Sequence, residues 1–100
     1  AHRAANRKAR KREEAARRRR NRPLQRKVEA AERDLDRLHR EREELEARLA
    51  DPELYEPGNK DRLKTLLAEK SGLDGRCEAQ EALWLELAQK LEVSETRAGE

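Results

Sequence analysis

A repeat of apolar positions runs from Leu24 to Leu49 and limits what this chain can fold into. Its positions are separated alternately by four and three residues, and most residues between them are charged. A helix with one narrow apolar edge cannot bury that edge alone, and a mean spacing of about 3.5 residues is typical of a left-handed coiled coil. The repeat consists of Leu24, Val28, Ala31, Leu35, Leu38, Leu45 and Leu49, with Arg42 as an interruption.

A second repeat with the same alternating spacing begins at Leu63 and ends at Leu91. Setting Leu49 beside Leu63 places the apolar positions of the two repeats opposite each other, and Arg42 then falls opposite Lys70. Both cations must reach toward nearby acids, because like charges repel and long side chains can extend to the surface. The sequence therefore predicts an all-α, antiparallel two-helix coiled-coil hairpin. Each repeat forms one seam of this hairpin, the line of side chains that faces the other helix, and the repeat from Leu24 to Leu49 is the first seam. The second seam consists of Leu63, Leu66, Lys70, Leu73, Cys77, Gln80, Trp84, Leu87 and Leu91.

Proline and glycine mark the expected boundaries of the helices. Pro23 lacks an amide hydrogen and suits the first position of a helix, so helix 1 is predicted at about 23–50. Pro57 and Gly58 interrupt the chain before helix 2, which is predicted at about 60–92. The predicted organisation is a basic segment at 1–22, which is either an arm that lies along phosphates or a solvated interdomain linker, a coiled-coil hairpin at 23–92 with its tip at 51–59, and a disordered tail at 93–100.

The tip has capping signals of its own. Asp51 followed by Pro52 has the pattern of an N-cap residue before a proline at the first helical position, which predicts a short helical turn. We expect Leu54 and Tyr55 to fold over the open end of the seam. Asn59 can cap the second helix.

Charge is distributed unevenly along the chain. Residues 1–22 carry eleven bases and two acids, a net charge of +9, and residues 23–100 carry 14 bases and 20 acids, a net charge of −6. A basic segment on an acidic body is typical of an arm that binds nucleic acid or a membrane surface. The predicted nucleic-acid-binding residues are Arg7, Lys8, Arg10, Lys11, Arg12, Arg17, Arg18, Arg19, Arg20 and Arg22.

The arm combines helix-favouring alanines with no apolar edge, so we expect it to be partly disordered when free. It contains no aromatic residue for stacking on bases. Binding should therefore be weakly sequence-specific and steeply salt-dependent, since it depends on phosphate contacts.

Composition and motifs exclude several classes of function. The chain is 47% charged and 34% hydrophobic, too polar for a globular domain with a deep cleft. It lacks the glycine-rich phosphate-binding motifs, and His2, His39 and Cys77 lack metal-ligand spacing. We expect a non-catalytic fragment without cofactor or metal, in which Cys77 is a core residue and His39 a solvated surface residue.

No apolar run is long enough to span a membrane, and no signal peptide is visible. The start at Ala1 is expected of a piece of a longer protein. We therefore predict a fragment without membrane contact. Because the two repeats can pair within one chain, we also predict a monomer.

Four short motifs resemble the C-terminal domain of ABC-F ATP-binding-cassette proteins. The likeness is closest to the YheS type and more distant to the Uup type, and it covers roughly residues 7–92. The Asp-Pro-x-Leu-Tyr turn and the late tryptophan make it more specific than heptads alone. The motifs are P-L-x-R-K at 23–27, A-D-P-E-L-Y at 50–55, K-S-G-L at 70–73 and A-L-W-L-E-L at 82–87.

This resemblance implies a cytoplasmic bacterial protein with two ATPase cassettes upstream, which would bind ATP and magnesium. Members of the family act on ribosomes as translation factors, and the C-terminal coiled coil of the Uup type is associated with DNA binding. The dense run Arg17–Arg20 departs from the Uup type, which leaves open whether the polyanion is ribosomal RNA or DNA.

Three hypotheses follow for this chain. The first is a nucleic-acid-contacting accessory domain of an ABC-F-like ATPase, with ribosomal RNA as the expected partner and DNA as the alternative. The second is a purely structural or protein-docking coiled coil attached to the cassettes. The third is a basic-region zipper dimer, against which Pro23 and the second repeat both argue, because that motif needs one unbroken helix and leaves the second repeat unpaired. We favour the first.

Overall fold

Two long helices and a short connecting tip make up the described backbone. The computed structural model describes the backbone of residues 2–99 and the side chains of residues 2–96. Helix α1 spans His2–Leu49, two 3₁₀ turns span Pro52–Tyr55 and Pro57–Asn59, and helix α2 spans Lys60–Gly99. No strand occurs in residues 2–99, so the prediction of an all-α chain is confirmed.

Helix α1 begins 21 residues before Pro23, so the predicted helix boundary at this proline is wrong. A proline inside a helix removes one main-chain hydrogen bond and costs about 3 kcal/mol. The flanking segments offset this cost because Ala, Arg and Lys are strong helix formers. The basic arm therefore belongs to α1, where a partly disordered arm was expected. The domain boundary at residue 22 stays a prediction.

Helix α2 also extends beyond its expected end at residue 92 and continues to Gly99. Ser94 lies in this extension, is half-buried, and donates a hydrogen bond from its hydroxyl to Oδ1 of Asn21. The apolar pattern could not reveal this contact because both side chains are polar. Of the predicted disordered tail, Glu100 and the side chains from residue 97 onward lie outside the described residues.

The chain divides into two compact units, and Ala31–Trp84 forms one of them. Its core draws on both helices and on the tip, and Leu49 and Leu63 pack against it. This is the contact pattern of a helical hairpin, because residues from before and after the tip share one buried cluster. The cluster consists of Leu38, Leu45, Leu54, Leu66, Leu73 and Cys77. Cys77 is 1% exposed, which confirms its prediction as a core residue.

Polar side chains also join the two helices within this unit. Nε2 of Gln80 donates to the main-chain carbonyl of Ala31 at 3.2 Å. The indole Nε1 of Trp84 donates to Oε1 of Glu32 at 3.1 Å. Each bond joins residues about 50 positions apart. The seam positions Gln80 and Trp84 thus bind α1 through polar atoms as well as by packing.

His39 contacts the opposite helix, whereas a solvated surface residue was expected. Its Nε2 lies 3.2 Å from Oε1 of Glu81, and its side chain is 34% exposed. The sequence places His39 beside Leu38, at the edge of the seam. Positions that flank the apolar seam of paired helices lie within reach of charged side chains on the facing helix, and His39 contacts Glu81 in this way.

Two charged residues, Arg42 and Lys70, interrupt the apolar positions of the two seams. Arg42 and Lys70 are both half-buried. Nζ of Lys70 lies 2.9 Å from Oδ2 of Asp74, one helical turn away. The expectation that Lys70 reaches a nearby acid is confirmed for this residue.

The tip is held by local hydrogen bonds. Oδ1 of Asp51 accepts from the amide of Glu53 at 3.1 Å, which confirms the predicted cap of the short helical turn. Leu54 is buried, as expected, but Tyr55 is 59% exposed and does not cover the seam. Its hydroxyl instead donates to the carbonyl of Leu49 at 2.6 Å.

Asn59 also acts within the tip, since its Nδ2 donates to the carbonyl of Glu53 at 2.8 Å. The expected role of Asn59 was to cap α2. The observed hydrogen bond closes the loop between the two 3₁₀ turns instead.

The other compact unit consists of Ala1–Ala30 and Leu85–Glu100. Among its described side chains, Asn21 and Val28 are buried. Leu24, Leu87 and Leu91 are half-buried. This unit contains the whole basic arm.

Candidate nucleic-acid interface

Helix α1 carries all ten predicted nucleic-acid-binding residues. Nine of them are exposed. Arg17 is half-buried and already engaged in an interaction. At about 1.5 Å per residue, the segment from Arg7 to Arg22 is roughly 22 Å long. All ten cations therefore lie along a single helix.

The helical periodicity sorts the arm's cations into faces. Successive residues are rotated by about 100°, so side chains separated by four or seven residues point in similar directions. One row consists of Arg7, Lys11, Arg18 and Arg22, and a second row consists of Lys8, Arg12, Arg19 and Arg26. The centres of the two rows are about 85° apart around the helix, so together they form one basic face.

The basic face points away from the packed side of α1. The packed side is marked by Asn21, Leu24 and Val28, which are buried or half-buried. Around the axis of α1, the mean direction of these three side chains lies roughly 140° from the middle of the basic face. Arg10 and Arg17 point to the same side as these residues. Arg20 lies on a flank, so seven of the ten predicted cations share the outer face.

Main-chain contacts hold two arginines of the first row along the helix. Nε of Arg7 donates to the carbonyl of Arg3, and Nε of Arg18 donates to the carbonyl of Glu14, both at 3.4 Å. Each acceptor lies four residues earlier. A guanidinium has five N–H donors, so a bond from Nε leaves its two terminal nitrogens available to phosphate oxygens.

Arg26 belongs to the basic face but is not among the predicted site residues. It is exposed and lies seven residues after Arg19. The expected helix boundary at Pro23 separated it from the arm. Reading the periodicity through the proline would have found it.

Outside the basic face, the described surface carries a groove that is partly open to solvent. This groove of about 200 Å³ in the unit Ala31–Trp84 is lined by both acids and bases as well as by Leu45 and Leu73. Its charged lining residues are Glu41, Glu44, Arg48, Glu69 and Arg76. Among the described residues, no three His, Cys, Asp or Glu side chains are grouped so that they could hold a metal ion. Neither helix is apolar over a length that could cross a membrane, as far as residues 2–99 are concerned.

Comparison with family models identifies the class of domain. The model of the ABC transporter C-terminal domain matches residues 19–89, more than two thirds of the chain. The chain belongs to this family. Comparisons with curated proteins and with solved structures give no significant match.

The family match confirms the resemblance at the level of an ABC protein's C-terminal domain, and the ABC-F subfamily stays a prediction. The matched region covers the first seam, the tip and the second seam as far as Leu87. It begins at Arg19, so most of the basic arm lies before it. The arm is therefore a feature of this chain that the family match does not account for.

Proposed function

We propose that this chain is a non-catalytic, nucleic-acid-binding accessory domain of an ABC-F-type ATPase, and that its basic arm contacts ribosomal RNA. The observation that carries the proposal is the exposure of nine predicted arm cations on one helix, in a segment with two acids. Phosphate contacts by Arg and Lys release counterions, which is the main source of sequence-independent affinity for nucleic acids.

The proposed parent protein has two cassettes that bind ATP and magnesium and is cytoplasmic. The present chain contains no glycine-rich motif for phosphate, so nucleotide chemistry would belong to those cassettes. The likeness to the YheS type supports ribosomal RNA as the partner. A distant likeness to the Uup type supports DNA as the alternative.

We also propose that the two seams pair as a coiled coil within a monomer. Leu38 would face Leu73, and Leu45 would face Leu66. Membership of all four leucines in one buried cluster supports this register. Such pairing leaves the outer side of α1 free for a partner.

The binding proposal is tested by matched charge variants. Arg18, Arg19 and Arg22 are replaced together by Gln in one variant, and the exposed body residues Arg33, Arg40 and Arg48 in the control. Fluorescence anisotropy with a ribosomal RNA fragment, and separately with a DNA duplex, gives the affinity from about 50 to 200 mM salt.

We expect the arm variant to lose about tenfold in affinity and to lower the salt slope by roughly 3, at about 0.9 per phosphate contact. The control should bind within about threefold of the unchanged chain. No binding to either probe at about 50 mM salt would refute nucleic-acid binding. Comparing the two probes shows whether RNA or DNA is preferred.

A specific observation favours the second candidate function, a protein-docking hairpin. Tyr55 is 59% exposed at the tip, and exposed aromatic side chains are enriched at protein interfaces. In this case Tyr55→Ala would weaken association of the parent protein with ribosomes. Deleting residues 1–22 would leave that association unchanged, whereas the nucleic-acid proposal expects the deletion to weaken it.

A further inference from the structure

We infer that the basic face of α1 is built for a double-helical nucleic acid, held across one groove by the phosphates of both strands. This inference rests on the proposed function and adds the form of nucleic acid that the arm recognises. It follows from the helical conformation of α1 through Pro23, which places eight cations in two parallel rows. A disordered arm would have no such rows.

The two rows match the geometry of a groove. Each row contains four cations, and the rows extend over roughly 22 and 27 Å at about 1.5 Å per residue. The separation of about 85° around the helix directs the rows toward two different lines of phosphates. A single strand offers one line, so it could engage the two rows only in part.

The dimensions of α1 agree with this arrangement. A helix with its side chains is about 10–12 Å wide, close to the width of about 12 Å of the major groove of B-form DNA. The narrow major groove of A-form RNA excludes such a helix, but its wide, shallow minor groove exposes both backbones. Duplex DNA and duplex RNA therefore share the required chemistry, and the probes of the experiment distinguish them.

Composition argues against a single-stranded partner. Proteins that bind single strands combine cations with aromatic side chains on which the bases stack. The arm contains no aromatic residue, and Trp84 and Tyr55 lie in the other compact unit. The basic face thus offers phosphate contacts without a stacking platform.

Insertions test the face without changing any charge. Two alanines inserted between Ala15 and Ala16 turn the first half of each row by about 200° relative to the second half. Seven inserted alanines turn it by about 700°, which restores both rows to within about 20°. The two variants have the same net charge, and alanine is the strongest helix former, so circular dichroism should report a helical arm in both.

The affinities of both insertion variants and of the unchanged chain are measured for a 16-base-pair duplex of DNA, the same duplex of RNA, and a single strand of equal phosphate number. We expect a duplex to bind at least about tenfold more tightly than the single strand. The two-alanine insertion should cost about tenfold in duplex affinity, and the seven-alanine insertion less than about threefold. The single strand should respond equally to both insertions.

The inference is overturned if the single strand binds as tightly as either duplex, or if the two insertions weaken duplex binding equally. In both cases the proposed nucleic-acid function would survive, since binding itself would remain. If neither duplex nor single strand binds at about 50 mM salt, the proposed function and the inference both fail.

Discussion

The hydroxyl of Ser94 in α2 donates a hydrogen bond to Oδ1 of Asn21 in α1. Asn21 is 7% exposed and lies three residues before Leu24, so it extends the first seam by one step toward the arm. A buried amide requires a partner, because an unsatisfied polar group costs about 1–3 kcal/mol. This pair ties the end of α2 to the part of α1 that precedes Pro23.

A double-mutant cycle measures this bond. We expect Asn21→Ala and Ser94→Ala each to lower the free energy of unfolding by about 1 kcal/mol, and the double variant to lose about 1 kcal/mol less than the sum. Asn6→Ala is the control, because Asn6 is exposed on the same helix. Denaturation followed by circular dichroism gives the values, and strictly additive losses would show that the two side chains do not interact in solution.

The second prediction concerns the shared core. Leu73 is 4% exposed and belongs to the buried cluster, whereas Leu67 is 51% exposed on the same helix. Leu73→Ala should lower the free energy of unfolding by about 2–5 kcal/mol, because it removes buried methyl groups and leaves a cavity. Leu67→Ala makes the same chemical change at the surface and should stay within about 0.5 kcal/mol. Equal losses in urea denaturation would contradict the hairpin packing.

The third prediction concerns the two glycines inside α2. Gly72 and Gly75 are exposed, and a Cβ added at either position would meet no atom within 4 Å. Alanine should therefore stabilise the chain by about 0.5–1 kcal/mol at each site, since it reduces the backbone entropy lost on folding. The thermal midpoint of each single variant reports the gain. A lower midpoint would indicate that a partner approaches this face of α2.

The fourth prediction concerns Pro23, which lies inside α1. Pro23→Ala restores an amide that can donate to the carbonyl of Arg19, and proline costs about 3 kcal/mol in a helix interior. We expect slower amide exchange around residues 19–27 and a larger helical signal. Pro52→Ala is the control, because Pro52 begins a 3₁₀ turn, where proline is favoured. Unchanged exchange after Pro23→Ala would mean that the helix is already interrupted there in solution.

Several residues were correctly placed from the sequence because their signals are local. Cys77 and Leu73 follow from heptad spacing, and the capping role of Asp51 follows from the proline after it. The ten arm cations were proposed as binding residues from charge alone, and that role stays a prediction. Their division into an outer face and a packed side could be seen only in a helix that continues through Pro23. The sequence did not predict such a helix, because proline is unfavourable inside helices.

Other contacts could not be predicted because they depend on the facing helix. His39 and Glu81 are 42 residues apart, and neither position is apolar. Asn21 and Ser94 are 73 residues apart and lie in segments that were expected to be an arm and a tail. Tyr55 was expected to pack over the seam, but the tip geometry directs its hydroxyl to the carbonyl of Leu49.

By itself, the sequence determined that two helices with narrow apolar edges must share those edges, and that the positive charge gathers before residue 23. Both properties depend on spacing and composition within a few helical turns. Only the tertiary structure decided which polar residues complete the interface and how far each helix extends, because a buried amide or a helix end is stabilised by whatever the neighbouring helix presents to it.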